Sequence, residues 1–452
     1  MTSHRRRPTA LMTGFRPETR TPSRRTDAVT LLSCYVFLLV IIPSSLVVGS
    51  FGAAGAPAAL FADVLFCWYL IARHHPALRL DRGKQPVRIA AVVFAGAVVA
   101  AYIAANRVKM SGLEESGADR GLIVLCGWLG VLLVAADGID RADRLRTLLR
   151  RIVMGGTAMA VLGMLEFFTG LDLAQYISIP GLTAHAQVTD LASRDGLVRV
   201  IATAAQPLEF AAVLAMCLPL AIHQARFAPP ALRFRRWLQA ALIAGAMPMT
   251  VSRSAIFGVV VISIVLLPTW PKRDRRLACG ILLAVPVMVW LVRPKILSGF
   301  VGLFGQLGTD ASSTSRTRAY AEAAPFIAHH PWFGQGFDTF FPQTYFFVDN
   351  QYLTSLIETG VVGALALLAL FATGWLTARS ARVAAAGDVQ ARDQAQCLAA
   401  SVAAAAVCFA TFDALSFTIA PGLCFLLLGC VGAAWRLQRA RQRADSQDLL
   451  AG

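Results

Sequence analysis

The chain has 452 residues, of which 56% are hydrophobic and 15% charged, with a mean hydropathy of +0.60. This composition excludes an ordinary water-soluble domain, in which about a quarter of the residues are charged, and it is too poor in charge for general disorder. The formal net charge of +16 says nothing about partners until it is located along the chain.

Apolar stretches of about the length needed to cross a bilayer recur from end to end. In chain order they fall near 29–49, 55–72, 87–105, 121–136, 152–169, 204–223, 237–251, 254–269, 277–292, 350–375, 397–413 and 419–435. Some are short for a complete span, and 237–251 with 254–269 would also suit one broken or re-entrant unit. The expected fold is therefore all-α: a polytopic integral membrane protein of about 12 transmembrane helices, with a long external loop between the ninth and tenth. The corresponding divisions are a basic tail over 1–28, helices over 29–292, a loop with short helices over 293–349, helices over 350–435 and a tail over 436–452. The nine cysteines lie inside or beside apolar runs without a CxxC pair, so they read as small buried hydrophobes. No cluster has metal-ligand spacing, and no metal or other cofactor is expected.

Charge placement orients the segments. If the Arg-rich start is cytoplasmic, the cytoplasmic pieces are 1–28, 73–88, 137–151, 224–236, 271–276, 376–396 and 436–452. These hold all but ten of the 42 Lys and Arg, as the positive-inside rule requires. Both termini are then cytoplasmic. Basic runs such as Arg5–Arg7 and Arg24–Arg25 become anchors to anionic membrane lipids, and nucleic acid is not expected as a partner. The first apolar run starts too late and is too long for a cleavable signal peptide. A phosphate-binding glycine loop and a dinucleotide fingerprint are both absent from the sequence.

Chemistry then has to use the outward loops, chiefly 170–203 and 293–349. Arg199 stands just before the apolar segment that contains Glu209, where an ionisable group is expensive unless paired or wetted. Arg253 lies in Thr-Val-Ser-Arg-Ser-Ala between two apolar segments. Arg316 and Arg318 sit in the Ser/Thr-rich stretch 309–320, which is placed to cap a helix over 319–330, kinked or divided at Pro325. An aromatic run from Trp332 to Phe347 suggests packing on the membrane surface or over a groove, with Gly334 and Gly336 as a flexible turn. Asp349 and Asn350 introduce the tenth apolar stretch.

Arginines converging at segment boundaries suit an anionic, membrane-attached substrate, because guanidinium groups match phosphate oxygens and hold their charge without tuning. A polyprenyl-diphosphate-linked glycan fits: its tail stays in lipid, and Arg199 and Arg253 meet the diphosphate. Charge growing on the departing diphosphate would be stabilised by such groups, and a nearby carboxylate would orient or deprotonate an acceptor hydroxyl. Simpler readings stand beside this one. Arg253 and Arg199 would also serve as interfacial anchors, Arg318 as an i,i+4 partner of Glu322, and Glu209 as a structural partner of a buried arginine. His185, His329 and His330 read equally as loop residues or as acid–base groups.

At these same residues the sequence resembles the O-antigen ligase and Wzy-type polysaccharide polymerase superfamily of bacterial envelope enzymes. The likeness rests on SSTSRTRAYAEAAPFIAHHPWFGQGFDTF at 312–340, VDNQYLTSLIETGVVGALALLALF at 348–371, MTVSRSAIFGVVV at 249–261 and RVIATAAQPLEFAAVLAMCLPL at 199–220. The resemblance implies a metal-independent, all-helical glycosyltransferase of the bacterial inner membrane. Its donor would be a glycan on undecaprenyl diphosphate at the outer face, and its acceptor a glycan or lipid, with other envelope polysaccharide assembly proteins as further partners. It maps the family's arginines onto Arg199 and Arg253, the expected catalytic pair, and places Arg316 and Arg318 at the opening of its large external loop; with Glu209 and Asn350 these two are the expected substrate contacts. Many members carry His-Asn where this chain has Asp349-Asn350, and a carboxylate is a weaker base than an imidazole. Asp349 is the expected counterpart. Ligase and polymerase are not separated by these motifs. The competing expectations are a transporter or flippase for a lipid-linked glycan or other anion, which needs Glu209 on a pathway open to both sides, and an assembly scaffold.

Overall fold

The computed structural model describes residues 27–49, 54–74, 83–107, 109–184, 193–194, 197–292 and 311–451. The basic N-terminal run, His185, Arg293 and Lys295 lie outside these residues, as does the side chain of Arg316. The described chain is almost wholly helical: α1 Ala28–Ile41, α2 Pro57–His74, α3 Pro86–Ala105, α4 Gly112–Gly138, α5 Ala142–Thr169, α6 Pro207–Arg226, α7 Pro230–Met249, α8 Arg253–Leu266, α9 Lys272–Val292, α10 Ala311–His329, α11 Gln351–Glu358, α12 Gly360–Ala384, α13 Val389–Phe409 and α14 Ile419–Ala451. Two small antiparallel pairs complete it, β1 Leu46–Val47 with β2 Thr183–Ala184, and β3 Ser193–Arg194 with β4 Leu197–Val198.

Among the described residues six helices, α3, α4, α5, α6, α12 and α14, are long and apolar enough to cross a membrane, so the chain is a multi-pass membrane protein. Helix α3 shows why. Its inner face carries buried Val87, Ala91, Phe94, Val98 and Ala101, while Ile89, Val92, Val93 and Ile103 on the other face are half or more exposed. A helix apolar all round belongs in lipid or deep in a core, because each such side chain left in water forgoes roughly 1.5–3 kcal/mol. Where helices cross, small residues bring the backbones together. A Cβ on Gly130 would lie 2.5 Å from Phe66 N, and one on Gly429 would lie 2.5 Å from Leu132 O, so α4 is clamped between α2 and α14.

Every one of the twelve apolar stretches falls on helix, but several boundaries move for identifiable reasons. Helix α1 stops at Ile41 instead of running to 49, because Pro43 forces Ile42 into the extended region. Helices α4 and α5 begin about ten residues before their apolar windows, α4 under a capping box of Ser111 and Glu114. The stretch 237–269 forms two helices broken at Thr250–Ser252, where Val251 takes φ +44°. The stretch 350–375 also breaks in two, at Gly360 with φ +64°. Helix α14 runs on through the expected tail to Ala451. In the 293–349 loop, α10 is one helix that starts at Ala311 and keeps Pro325 inside it. The Ser/Thr cluster is therefore part of the helix and not a cap before residue 319.

Polar contacts sort into two ends of the bundle. One end joins α1–α2, α3–α4, α5–α6, α7–α8, α10–α11 and α13–α14, for example through Arg120–Asp338, Ser44–Thr203 and Ser254–Thr411. The other joins Asp137 to Tyr69 and Arg88, and Arg226 to Asp274 and Asp393. This sorting follows from the helices alternating in direction.

Candidate functional site at the loop end of the bundle

The first of the two ends gathers most of the sequence-flagged residues. Arg253 is the first residue of α8 and is buried. The Ser252 hydroxyl caps this helix by accepting from Ser254 N–H at 3.2 Å. The preceding Val251 is β-branched at positive φ, an uncommon strain that persists only where its surroundings impose it. Arg199 is drawn to the same turn: its Nε–H donates to Thr250 O at 3.3 Å, three residues before Arg253. The two arginines therefore lie at one end of the molecule, on adjacent turns.

Two buried carboxylates shape the loop that carries Arg199. Glu166 Oε2 accepts from the N–H groups of Ile201 and Ala202 at 3.2 and 2.8 Å, holding Ala202 at φ +52°. Glu209 Oε2 accepts from Ala205 N–H at 2.9 Å. Its other oxygen accepts from Ile419 and Ala420 N–H, at 2.7 and 3.1 Å, at the head of α14. Glu209 is fully buried, and the hydrogen bonds to its carboxylate come from backbone N–H donors, not from an arginine. That use suits a helix N-terminus, whose exposed N–H groups and dipole favour an anion. Beside this loop opens a cleft of about 270 Å³, lined in part by Ser44, Asp172, Gln175, Ala202, Ser416 and Phe417.

Asp349 and Asn350 arrive from the other direction. Asn350 caps α11: its Oδ1 accepts from Tyr352 and Leu353 N–H at 3.0 and 3.4 Å, and its Nδ2 donates to the Tyr320 hydroxyl of α10 at 3.0 Å. The next residue, Gln351, is stitched to the α13–α14 loop. Its N–H donates to Phe412 O at 3.1 Å, and its Oε1 accepts from Leu415 N–H at 2.7 Å. Thr411, in the same loop, bonds Ser254 of α8 at 2.6 Å between hydroxyls. Three elements, headed by Arg253, Asp349 and the Phe412–Leu415 turn, thus meet through direct hydrogen bonds.

That turn holds Asp413, which sequence reasoning passed over. Its carboxyl accepts from the Ser416 hydroxyl and its own N–H. Burial, reinforced by the nearby Asp349 carboxylate, raises its pKa to about 7. The one signal in the sequence was an acid inside the otherwise apolar stretch Ala-Thr-Phe-Asp-Ala-Leu. Arg318 does not join this group in the described geometry: it is exposed and donates to Glu322 at 2.6 Å, the local i,i+4 pair.

The aromatic run is a docked unit instead of a loose surface. Phe340 stacks on Tyr345 with ring centroids 4.9 Å apart, and Phe326 of α10 meets both edge-on. Trp332 and Phe347 stay exposed. Residues 331–336 lie against the α11–α12 junction through backbone bonds from Gln335 N–H to Ile357 O at 3.0 Å, Gly336 N–H to Glu358 O at 2.9 Å and Val361 N–H to Pro331 O at 2.9 Å. Gly334 and Gly360 take φ +68° and +64°, and a Cβ on either would fall within 2.5 Å of the facing backbone. These glycines permit a fixed close approach, not flexibility.

The far side of this unit is pinned to α4. Arg120 Nε and Nη2 donate to the two oxygens of Asp338 at 2.6 and 2.7 Å, and Asp338 sits at φ +62°. Burial pushes the Asp338 carboxyl up, and Arg120 pulls it part of the way back. The Tyr345 hydroxyl donates to Glu114, and burial with that carboxylate raises the phenol to about 12.

With this geometry described, comparison with known proteins adds one match. The family model described as O-antigen ligase matches residues 238–368, a stretch from within α7 to within α12. It includes Arg253, Arg316, Arg318, Asp349 and Asn350, while Arg199, Glu209 and Asp413 lie outside it. No curated protein matches the chain. The match over residues 238–368 supports assigning this multi-pass membrane protein to the superfamily of O-antigen ligases and Wzy-type polysaccharide polymerases.

Proposed function

We propose that the protein is a glycosyltransferase of the bacterial inner membrane that ligates or polymerises glycans carried on undecaprenyl diphosphate, working at the outer face. Membership of the superfamily supports the ligase or polymerase role. The finer reading rests on one observation: Arg199 is hydrogen-bonded to Thr250 in the turn that leads into Arg253, and the segments that carry Asp349 and Asp413 are hydrogen-bonded onto the same end.

In this reading the donor's polyprenyl tail stays in the bilayer, and its diphosphate lies against Arg199 and Arg253, with Arg316 and Arg318 offered from α10. The acceptor is a glycan or lipid hydroxyl. As that oxygen bonds to the anomeric carbon, the bond to the diphosphate breaks and its electron pair leaves with the phosphate oxygen. The acceptor proton passes to the Asp349–Asp413 pair. Preorganised guanidinium groups stabilise the charge that grows on the departing diphosphate, and the carboxylate stands in for the histidine that many members of the family carry at this position. Asn350 fixes the start of α11, and Glu209 and Glu166 act as positioning residues for the Arg199 loop. Both termini are cytoplasmic, following the basic loops.

The test uses purified protein and a defined lipid-linked repeat, with and without candidate acceptors. A lengthening ladder marks a polymerase, and one block transferred to a different acceptor marks a ligase. Arg253→Ala is expected to lower donor consumption by about 10²–10³-fold, the cost typical of losing one preorganised transition-state donor. Full turnover in a correctly folded variant rules out the role given to Arg253.

A further inference from the structure

The opposite end of the bundle holds a group of side chains that the transfer reaction does not use. His223, in the last turn of α6, places Nδ1 2.7 Å from Asp393 Oδ2 on α13. Cys397, one turn further along α13, places Sγ 3.8 Å from the same oxygen. His223 and Cys397 are buried, and the three candidate ligand atoms lie within 4.8 Å of one another. The remaining oxygen of Asp393 accepts from Arg226, whose guanidinium also reaches Asp274 at 3.0 Å and lies over the Trp270 ring at 4.7 Å.

We propose that His223 Nδ1, Asp393 Oδ2 and Cys397 Sγ bind a divalent transition metal of the zinc type at this end of the bundle. Imidazole, carboxylate and thiolate are the donors such an ion takes, with bonds of about 2.0–2.3 Å. Tetrahedral geometry at those lengths separates ligand atoms by roughly 3.3–3.8 Å. The sulfur–oxygen distance already fits, and the His223–Asp393 contact has to open by less than about 1 Å as each atom exchanges their shared hydrogen bond for a bond to the metal. Arg226 supplies the outer-shell contact that aims a ligating carboxylate, since it holds the oxygen not facing His223 and Cys397.

The ion would tie α6 to α13, which already touch through Ser401 Oγ donating to Met216 O at 2.7 Å. Those helices carry Glu209 and Thr411 toward the other end, so the site is a brace between two elements of the transfer site.

Cobalt(II) reports the site directly. Titrating it into full-length, chelator-treated protein in detergent is expected to produce a near-ultraviolet thiolate-to-metal band saturating at one ion per chain and displaced by zinc. Cys397→Ser and His223→Gln are expected to lose the band, while Cys430→Ser retains it. The absence of a band in the parent, or its persistence in Cys397→Ser, overturns the proposal. X-ray absorption of the zinc-loaded parent is the second measurement, needed if a variant misfolds: one sulfur with nitrogen and oxygen neighbours supports the site, and a shell without sulfur overturns it.

Discussion

Asp413 sits in an environment that an ordinary aspartate does not meet. An ordinary aspartate is ionised well below neutrality, but burial and the Asp349 carboxylate keep this one protonated up to about pH 7. Two consequences follow from the sign of that shift. The native state holds the proton more tightly than the unfolded chain, so stability falls as pH rises from the ordinary carboxylate range toward 7. A base must be ionised, so donor turnover is expected to rise with pH through about 7. Asp413→Asn should flatten both trends, as read by a pH–rate profile and by thermal unfolding at pH 5 and 8. If Asp413→Asn keeps the parent's profile, Asp413 is not the base. Asp349→His is expected to retain more activity than Asp349→Asn, because an imidazole can still accept a proton.

At the scale of elements, the external unit is held by geometry that tolerates few side chains. Gly360 combines positive φ with a facing backbone at Trp332, where an added Cβ would lie 2.4 Å from its carbonyl carbon and oxygen. Gly360→Ala should therefore detach residues 331–336 from the α11–α12 junction, with limited proteolysis of that loop rising and donor turnover falling at least tenfold. Arg120→Ala acts at the other edge of the unit. It removes a bidentate, partly buried pair and leaves Asp338 without its charged partner, a loss of about 1–3 kcal/mol on the scale of charged hydrogen bonds. Arg120→Lys should recover only part of this, since an ammonium cannot reproduce the planar fork. Protection of the 331–350 amides from hydrogen exchange measures both effects.

The aromatic run shows how far pattern reading reaches here. Its density marked the segment 332–347 as something other than a solvated loop. A list of Phe and Tyr positions, however, contains no statement that Phe340 stacks on Tyr345 while Trp332 faces outward. The same applies to Gly334 and Gly360, which lie 26 residues apart and read singly as turn residues. Positive φ already favours glycine at both, and the close facing of the two backbone segments excludes any side chain there.

For the whole molecule, the two-ended sorting of polar contacts yields a topology that can be tested as a unit. In a cysteine-free background, single cysteines at the exposed positions Ser111, Gln206 and Ala410 should react with an impermeant thiol reagent from outside the cell. Cysteines at Gly83, Asp140 and Gly387 should react only after the membrane is opened. Gln206 labelling from the same side as Gly387 would separate the Arg199 loop from the outer face and end the proposed reaction.

Composition and charge order by themselves indicated that the chain lives in a membrane and that its helices alternate, and they led to the expectation that Arg199, Arg253 and Asp349 face one side. These are properties of local stretches: an apolar run has to satisfy its backbone as helix in lipid, and basic loops bias its orientation. The resemblance in 249–261 and 312–371 placed the family for the same reason, since those motifs are contiguous. Only the tertiary structure decided what depends on distant stretches meeting. Glu209 accepts from the head of α14, 210 residues away, and Asp413 lies beside Asp349 because Gln351 bonds the α13–α14 loop. His223 meets Asp393 across 170 residues, a separation no ligand-spacing rule covers. A side chain's neighbours across helix interfaces are set by packing, and packing is not a property of any one segment.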